Sequence, residues 1–550
     1  MKERLKDIFT ILVLSLTTSF MFFIFEPIIL YSTNPNDFWF DIYDIFPILL
    51  NTFLKYFVIL FIGLIIPYLI FKVWFKKNNF YYILITIFFC VFLITYIQGN
   101  LLSGTLPGIN GEIFNWRHYK IEAITSMMLW GTTFILLIGT LFLFKPAKIY
   151  SLVLPISSAI FIMLTASLTS TILTTRALED KPISVATYTN FNLASDKQNL
   201  FIFLLDAIDS QSFNKILQNN QEYQSTFKDF SYFPDTSSYY AYTRDALPYI
   251  FNPVPNHNEK EFADFSREVY ADSPIFKSLK AENYNMNYFD DKIFFNTQTA
   301  HSFSNMIDHV EVNHEIFLEQ LVKYNLYKYL PYPLKGKTHI ENLNFSAAKV
   351  DNDTHNYIWK DIENYQIFKN EELEITHDKV FHFIHLEGAH IWFELDENVQ
   401  PTTEGNYTKK QLASFQIAKT YINRLKKAGV YDNSAIVVMA DHGYKDGVWE
   451  YDYILDRFNP ILYIKGINEH HDKILHSDKP IAFDDLSNAF IDLQHGKKST
   501  ELFKDISYPR TRSLLYYVWN EEDHMVEYEF NGKAWESSLM TPTGREFDLK

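Results

Sequence analysis

Five long apolar runs occupy the first third of the sequence, and they constrain the fold more than any other feature. The runs cover residues 9–31, 46–73, 80–98, 122–145 and 150–172. Each run is close to or longer than the roughly 20 residues that a helix needs to cross a bilayer. Five such runs in succession are hard to bury anywhere but in lipid. The sequence therefore predicts an α-helical membrane bundle of five spans over residues 1–175, with the first run as an anchor and not a cleaved signal peptide.

Charge in the short loops predicts which way this bundle faces. Basic residues stand before the first span and in two of the short loops, at Lys2, Arg4, Lys6, Lys76, Lys77, Lys145 and Lys148. Loops enriched in such residues face the cytoplasm. The loop at residues 32–45 instead carries aspartates and no basic residue, whereas the loop at 99–120 is mixed. Five spans from a cytoplasmic start place the rest of the chain outside, so we expect a multi-pass protein of the cell membrane with an extracytoplasmic domain.

The remainder of the chain predicts one large α/β domain. Residues 176–198 are polar and are interpreted as a linker, and residues 199–550 are long enough to bury a core of their own. The single cysteine, Cys90, lies inside the third apolar run, so no disulfide is expected outside the membrane. A net charge of -16 argues against a nucleic-acid partner. Alternation and an Asn-Gly turn after about residue 507 predict antiparallel strands at the end of the chain.

Polar residues follow three apolar strands of the predicted domain, at the point where each strand ends. The stretch "NLFIFLLDAIDS" delivers Asp206, "KVFHFIHLEGAH" delivers His385 and His390, and "VVMADHGYKDG" delivers Asp441 and His442. The carboxyl ends of parallel strands meet at one edge of a sheet, where ligands collect. Carboxylate and imidazole groups together suit zinc or manganese. One such aspartate could simply cap a helix, but three strand ends together predict a divalent-metal site.

A hydroxyl group follows the first of these strands in "YFPDTSSYYAYTRDALPYIFN". Thr243 stands directly before Arg244 in this segment. A hydroxyl next to a divalent cation loses its proton more readily and becomes a nucleophile near neutral pH. Local sequence alone favours a different interpretation, in which Thr243 caps a short helix that starts at Arg244. Both interpretations stay open at this stage.

The order of these motifs behind five membrane spans resembles the sulfatase-like branch of the alkaline phosphatase superfamily. Within that branch the chain is similar to lipoteichoic acid synthases and lipid A phosphoethanolamine transferases. The resemblance covers most of residues 199–500 and implies an alkaline-phosphatase-like α/β domain with a mostly parallel central sheet. It also implies that the metal ligands are Asp206, Thr243, Asp441 and His442, with Thr243 also the nucleophile. His385 and His390 match paired histidines that contact substrate phosphate or a second metal.

The sequence departs from these relatives at several positions. Ala207 follows Asp206 where metal-dependent sulfatases often have a second acid, and "YILDRFNPILYIKG" offers Arg457 where phosphoethanolamine transferases have a late histidine. The nucleophile motif of true sulfatases and the disulfide cysteines of many phosphoethanolamine transferases are also missing. Arg244, Lys445 and Arg457 are candidates to bind a phosphate, because cationic groups pair with phosphate oxygens. His382 alternates with two phenylalanines and is expected to point away from the site.

These observations predict a metal-dependent phosphotransferase. It would take a phosphoglycerol or similar phospho-alcohol group from a membrane phospholipid, hold it on Thr243, and pass it to a surface glycan or glycolipid. Alternatives are a phosphoethanolamine transferase, a phosphodiesterase or sulfatase-type hydrolase, and a regulatory membrane protein that has lost catalysis. The missing histidine and cysteines favour phosphoglycerol over phosphoethanolamine as the transferred group.

Overall fold

The computed structural model of the protein divides into two compact units. The first contains residues 1–181 and 310–350, and the second contains residues 182–309 and 351–550. The structure describes residues 2–33, 35–102, 119–143, 145–179, 181–182, 184–291, 293–335, 345, 348–349, 356–391, 393–444, 457–518 and 524–548.

Long apolar helices build the first unit. They are α1 (Lys2–Phe20), α2 (Glu26–Thr33), α3 (Ile42–Pro67), α4 (Asn78–Asn100), α5 (Lys120–Leu143), α6 (Pro146–Tyr150) and α7 (Val153–Thr174). The π-helical segment Met21–Phe25 joins α1 to α2, and a second, Tyr68–Trp74, extends α3. Helix α3 exposes apolar side chains along its length, such as Leu54, Ile59 and Ile66, which is typical of a helix that is surrounded by lipid and not by water.

The number of spans predicted from sequence is only partly matched. Among the described residues, four helical stretches are long and apolar enough to cross a membrane, at Glu3–Thr33, Ile42–Trp74, Asn78–Asn100 and Pro146–Thr174. The predicted run at 122–145 falls mainly on α5, where several side chains lie outside the described residues. Four apolar helical stretches of spanning length are therefore present among the described residues, and the fifth span stays a prediction.

The second unit begins with short strands and helices around the first long strand. These elements are β1 (Val185–Ala186), β2 (Leu193–Ser195), β3 (Asn199–Leu205), α8 (Ser210–Leu217), α9 (Gln221–Phe227), β4 (Ser231–Tyr232), β5 (Thr236–Ser237), α10 (Thr243–Phe251), α11 (Phe262–Ala271), α12 (Pro274–Ala281), β6 (Asn285–Phe289), α13 (Thr297–Ala300) and β7 (Met306–Ile307). The chain then returns to the first unit with α14 (His314–Tyr329) and α15 (Tyr332–Lys335).

The last 200 residues complete the second unit. They form α16 (Asp361–Asn370), β8 (Glu374–Thr376), β9 (Val380–Leu386), α17 (Tyr407–Lys427), β10 (Ser434–Met439), β11 (Leu462–Lys465), β12 (Leu475–His476), β13 (Ile481–Ala482), α18 (Leu486–Gln494), β14 (Arg512–Val518), β15 (His524–Phe530) and β16 (Thr541–Asp548). The final three strands make a separate antiparallel sheet.

A seven-stranded sheet in the order β12-β4-β11-β10-β3-β9-β6 forms the centre of the second unit. Strand β3 pairs in parallel with β10 on one side and with β9 on the other, and β9 pairs in parallel with β6. The pairs β10/β11 and β11/β4 are antiparallel. The carboxyl ends of β6, β9, β3 and β10 therefore lie side by side at one edge of the sheet.

Both faces of this sheet are covered, which explains why its strands are continuously apolar. Phe201 and Phe203 of β3 belong to one buried cluster, and the alternating residues Ile202 and Leu204 belong to another. Side chains alternate across a strand, so each face of β3 contributes to its own core. A polar residue directly after such a strand is the first residue whose side chain belongs to neither hydrophobic cluster.

Candidate metal centre

Two strand ends and one imidazole form a compact buried cluster. Asp206 follows β3, and Asp441 and His442 follow the neighbouring strand β10. One ligand atom from each of the three residues lies within 4.8 Å of the others. The His442 Nε2 atom is 3.4 Å from Asp441 Oδ2 and 3.7 Å from Asp206 Oδ1. The remaining oxygen of Asp441 accepts the N–H of Ala207 at 3.1 Å, which fixes its carboxylate.

Thr243 places its hydroxyl in this cluster. It is the first residue of α10, and its Oγ1 donates to Asp206 Oδ2 at 3.1 Å and lies 3.5 Å from His442 Nε2. The N-cap residue of α10 is Tyr242, and among the described residues no helix N–H donates to the Thr243 hydroxyl. The helix-cap interpretation of Thr243 is therefore wrong, because its side chain bonds to the cluster instead.

The two carboxylates of the cluster have opposite pKa shifts. Burial raises the pKa of Asp441, and the neighbouring charge of Asp206 raises it further. Burial acts on Asp206 in the same direction, but the surrounding histidines outweigh it and hold the pKa of Asp206 below its usual range. Two like charges this close repel each other unless a cation lies between them.

The residues of the cluster fit a divalent metal ion. Asp206 Oδ1 and Asp441 Oδ2 are buried and have no hydrogen-bond partner among the described residues. A buried carboxylate oxygen without a partner is costly, and a bound cation removes that cost. With the His442 imidazole and the Thr243 hydroxyl, the site offers four ligands, which is the number that zinc prefers. The donor set suits manganese as well, so the choice between the two metals stays a prediction.

His385 lies beside the cluster on the neighbouring strand β9. Its Nε2 atom is 3.7 Å from Asp206 Oδ2, and its Nδ1 atom is 3.1 Å from Asp290 Oδ1. Burial lowers the pKa of this imidazole, but Asp290 and Asp206 outweigh burial and raise it to about 10. His385 is therefore protonated at neutral pH in the metal-free protein, which makes it a cationic neighbour of the cluster.

Sequence analysis missed Asp290 although a signal was present. It follows β6 in "NYFDDK", where an apolar strand again stops at an acid. Because β6 pairs with β9, this strand end joins the same edge of the sheet. The strand is short and begins with Asn285, so its apolar pattern is weaker than that of β3 or β10.

His390 lies in the loop after β9 and is half-buried. Its Nδ1 contacts the carbonyl oxygen of Ile391, and its charge contributes to the lowered pKa of Asp206. The indole of Trp359, which sequence analysis also missed, lies 5.3 Å from the ring of His385 and 5.5 Å from that of His390. One aromatic side chain thus packs against both histidines.

A reciprocal set of hydrogen bonds holds the loop after β9. The buried carboxylate of Asp361 accepts the N–H groups of Glu387 at 2.8 Å and Gly388 at 3.1 Å. In return, Glu387 Oε2 accepts the N–H of Asp361 at 3.1 Å. Gly388 has a φ of +59°, and a Cβ at this position would lie 2.3 Å from the backbone nitrogen of Asp206. The hydrogen bonds of Asp361 therefore hold this loop directly against the end of β3, where Asp206 lies.

The three candidate phosphate-binding cations are placed differently. Arg244 is exposed, and its guanidinium lies 4.1 Å above the ring of Phe262. Arg457 lies 5.4 Å from the ring of Tyr444, and its carbonyl accepts the N–H of Gly443 at 2.6 Å, next to the metal cluster. Lys445 lies outside the described residues. Their roles toward a phosphate stay proposals.

Two further polar residues have structural partners. Asp209 caps α8 by accepting the N–H of Ser212 at 2.7 Å. His382 is buried between the rings of Phe201 and Phe289, each 5.3 Å away. Burial lowers the pKa of His382 to about 3, so this imidazole is neutral at neutral pH.

Solved structures that are similar to this chain include a sulfatase and another protein of the alkaline phosphatase superfamily. A protein in this superfamily from Vibrio parahaemolyticus is 11% identical over 66% of this chain and 85% of that chain, with a TM-score of 0.36. A 2-O GAG sulfatase is 10% identical over 64% and 85% of the two chains, with a TM-score of 0.36. The C-terminal periplasmic domain of EcEptC from Escherichia coli, a phosphoethanolamine transferase, is 10% identical over 64% and 93%, with a TM-score of 0.33.

These neighbours are enzymes of the superfamily that the sequence motifs resemble. No family model matches the sequence, and no curated protein matches it. At such low identities and TM-scores the structural similarity carries no conclusion about substrate, which depends on the geometry of the site.

Proposed function

We propose that the protein is a metal-dependent phosphotransferase that uses Thr243 as its nucleophile. The observation that carries this proposal is the position of the Thr243 hydroxyl, 3.1 Å from Asp206 Oδ2 and 3.5 Å from His442 Nε2. Among the described residues, the Thr243 hydroxyl bonds to this cluster and not to its own helix. The cluster is the only group of buried acids and histidine among the described residues that could hold a metal ion.

Asp206, Asp441, His442 and Thr243 would hold the divalent ion. When bound there, the ion lowers the pKa of the Thr243 hydroxyl and offsets the negative charge of a phosphate. Thr243 Oγ1 attacks the phosphorus of a phospholipid headgroup, and the new oxygen–phosphorus bond forms as the bond from phosphorus to the diacylglycerol oxygen breaks. The diacylglycerol oxygen takes up the proton that Thr243 gives up, and diacylglycerol leaves as the neutral alcohol. The hydroxyl of a surface glycan or glycolipid then attacks the same phosphorus and releases Thr243 with its proton restored.

His385 supports phosphate chemistry at this position. Its Nε2 atom lies 3.7 Å from Asp206 Oδ2, the oxygen that accepts the Thr243 hydroxyl, and its carboxylate neighbours Asp290 and Asp206 favour the protonated imidazole. A buried cation beside the nucleophile attracts the phosphate and can donate a proton to the leaving oxygen. Asp290 keeps Nδ1 occupied, which directs Nε2 toward Asp206.

Phosphoglycerol is the proposed transferred group, with phosphoethanolamine as the alternative. An extracytoplasmic location of the second unit would suit either donor, and a zinc or manganese ion held by Asp206, Thr243, Asp441 and His442 would suit both reactions. A hydrolase of the phosphodiesterase or sulfatase type would use the same residues with water as acceptor.

Mass spectrometry of the Thr243 peptide tests the proposal. The purified full-length protein is incubated with vesicles of phosphatidylglycerol or of phosphatidylethanolamine, without an acceptor, and digested. We expect a phosphoglycerol adduct on Thr243 from the first vesicles, none in Thr243→Ala, and partial labelling in Thr243→Ser, which keeps a hydroxyl. An adduct formed only from phosphatidylethanolamine would show that phosphatidylethanolamine, and not phosphatidylglycerol, is the donor. No adduct together with no diacylglycerol release from either lipid would overturn the proposal.

A further inference from the structure

Helices α14 and α15 belong to the membrane unit although their sequence lies between two parts of the second unit. We call residues 310–350 the insert. The insert contains no helix apolar enough to cross a membrane among its described residues. Its contacts with the apolar helices show where it lies in the first unit.

The insert bonds to a buried acid of the first span. Glu26 is fully buried, and its carboxylate accepts the hydroxyl groups of Tyr324 at 3.0 Å and Tyr329 at 2.8 Å. Lys328 completes the set with its Nζ atom 2.5 Å from Glu26 Oε1. A carboxylate inside an apolar helix is costly unless it is paired in this way.

Two more helices of the first unit, α4 and α5, contact the insert at the same end of the bundle. The ring of Tyr329 packs directly on Gly99 of α4, where a Cβ would lie 2.1 Å from it. The N–H of Tyr332 donates to Ser126 Oγ of α5 at 3.2 Å. Gly99 is next to the end of α4 at Asn100, and Glu26 is seven residues from the end of the first span at Thr33. At 1.5 Å per residue, the insert reaches about 10 Å below the end of that span.

The outward side of the insert changes from acidic to apolar toward this end. Glu315 and Glu319 are exposed in the first turns of α14. One and two turns further along lie Val322 and Leu326, which are 48% and 42% exposed, and Leu334 of α15 is 42% exposed. Residues three or four apart share one side of a helix, so Val322 and Leu326 form an apolar edge. Beside it, Lys323 pairs with Glu319 at 2.9 Å.

We propose that this edge, formed by Val322, Leu326 and Leu334, contacts the acyl chains of the leaflet at that end of the bundle. Helix α4, on which the ring of Tyr329 packs, presents apolar side chains of similar exposure, such as Ile87 at 39%. The edge lies beside these apolar surfaces, because the same insert packs on the first span, α4 and α5. The insert is therefore an interfacial anchor. This inference depends only on the first unit and holds whether or not the second unit transfers phosphate.

Lipid-borne fluorescence quenching tests the inference in the full-length protein. Cys90 is replaced by Ala, and single cysteines are placed at Val322, Leu326 or Leu334 and labelled with an environment-sensitive fluorophore. Control cysteines replace Glu315, on the acidic part of the same helix, and Val254, an equally exposed valine of the second unit at 45%. All variants are reconstituted in vesicles of phosphatidylglycerol and phosphatidylethanolamine, with or without acyl chains that carry a quencher.

We expect at least threefold stronger quenching at Val322, Leu326 and Leu334 than at the two control positions. Thermal unfolding of each labelled variant verifies its fold. Because there are three test positions, the experiment still decides if one of these variants does not fold. Equal quenching at test and control positions would overturn the inference. Protection from a water-soluble thiol reagent without quenching by lipid would also overturn it, since the edge would then contact protein.

Discussion

The Thr243 hydroxyl donates a hydrogen bond to Asp206 across the gap between the first turn of α10 and the end of β3, at 3.1 Å. Neither residue is near the other in sequence. Their contact places a nucleophile and a metal ligand together, and it is the relationship on which the proposed chemistry depends.

Replacing Thr243 with Ala should abolish phosphoryl transfer while the fold stays intact. The substitution removes the attacking oxygen and one of four proposed metal ligands, but it leaves the two buried clusters of the sheet untouched. Turnover of phosphatidylglycerol measures the effect, and Thr243→Ser is the matched control that should keep part of the activity. If Thr243→Ala kept more than about a tenth of the turnover, a loss under roughly 1.4 kcal/mol of barrier, Thr243 would not be the nucleophile.

Removing the ligands Asp441 or His442 should remove the metal. Asp441→Asn and His442→Ala each leave fewer ligands and less charge, so we expect metal content to fall to about a tenth of that of the unmodified protein or lower. Elemental analysis of the purified protein measures it. A chelator should abolish turnover, and added zinc or manganese should restore it. Full metal content in both variants would show that other residues bind the ion.

Asp361→Asn should weaken metal binding although Asp361 is not a proposed ligand. The amide can accept only one of the two N–H groups that the carboxylate accepts, so the loop loses its fixed contact with Asp206. Groups that orient a ligand in this way typically change metal affinity by about 10-fold or more. Calorimetric titration of the full-length protein with zinc measures the affinity.

Glu469 offers a matched control for this prediction. It is also a buried carboxylate that accepts two N–H groups, those of Gly466 at 2.6 Å and Ser499 at 2.8 Å. It follows β11, which is antiparallel to β10, so it lies at the opposite edge of the sheet from the site. Glu469→Gln should lower the melting temperature without changing zinc affinity. Equal loss of affinity in both variants would mean that Asp361 acts only through overall stability.

His382 should make the second unit sensitive to acid. Its pKa is about 3 in the folded protein, because burial opposes its charge, and about 6.5 when unfolded. Below pH 6.5 the unfolded chain therefore gains a proton that the folded chain does not, and stability falls as pH falls toward 3. His382→Leu removes this proton uptake, so its stability should decline less steeply, by up to about 1.4 kcal/mol for each pH unit.

Urea unfolding of the full-length protein at several pH values between 6.5 and 4 measures this difference. His377, which is exposed and contacts Asp196, serves as the control for removing one histidine. The same dependence on pH in His382→Leu and in the unmodified protein would show that His382 is accessible to protons in the folded state.

Local patterns in the sequence were sufficient to predict the two strand ends that carry the candidate metal ligands. The runs before Asp206 and Asp441 are continuously apolar because both faces of their strands are buried, and such runs stop where the cores stop. Their order along the chain also indicated that the strands belong to one domain. The apolar helices were equally visible, because lipid requires length and hydrophobicity that few soluble segments have.

The sequence did not predict contacts between segments that lie far apart along the chain. The sequence prediction assigned residues 310–350 to the extracytoplasmic domain, whereas the structure places α14 in the first unit, with Tyr329 bonded to Glu26. A short helix of mixed charge such as α14 has no sequence pattern that predicts which part of the protein it packs against. The role of Asp361 was missed for a similar reason, since its hydrogen bonds are to backbone groups of residues 387 and 388.

The sequence by itself determined the membrane helices, the α/β class of the second unit, and the acids and histidines that end its strands, because burial sets the local pattern of apolar residues. Only the tertiary structure decided that β6, β9, β3 and β10 are neighbours, and that Asp290 consequently bonds to His385 while Thr243 bonds to Asp206. Strand order is set by packing over the whole domain, and no local stretch of sequence contains that information.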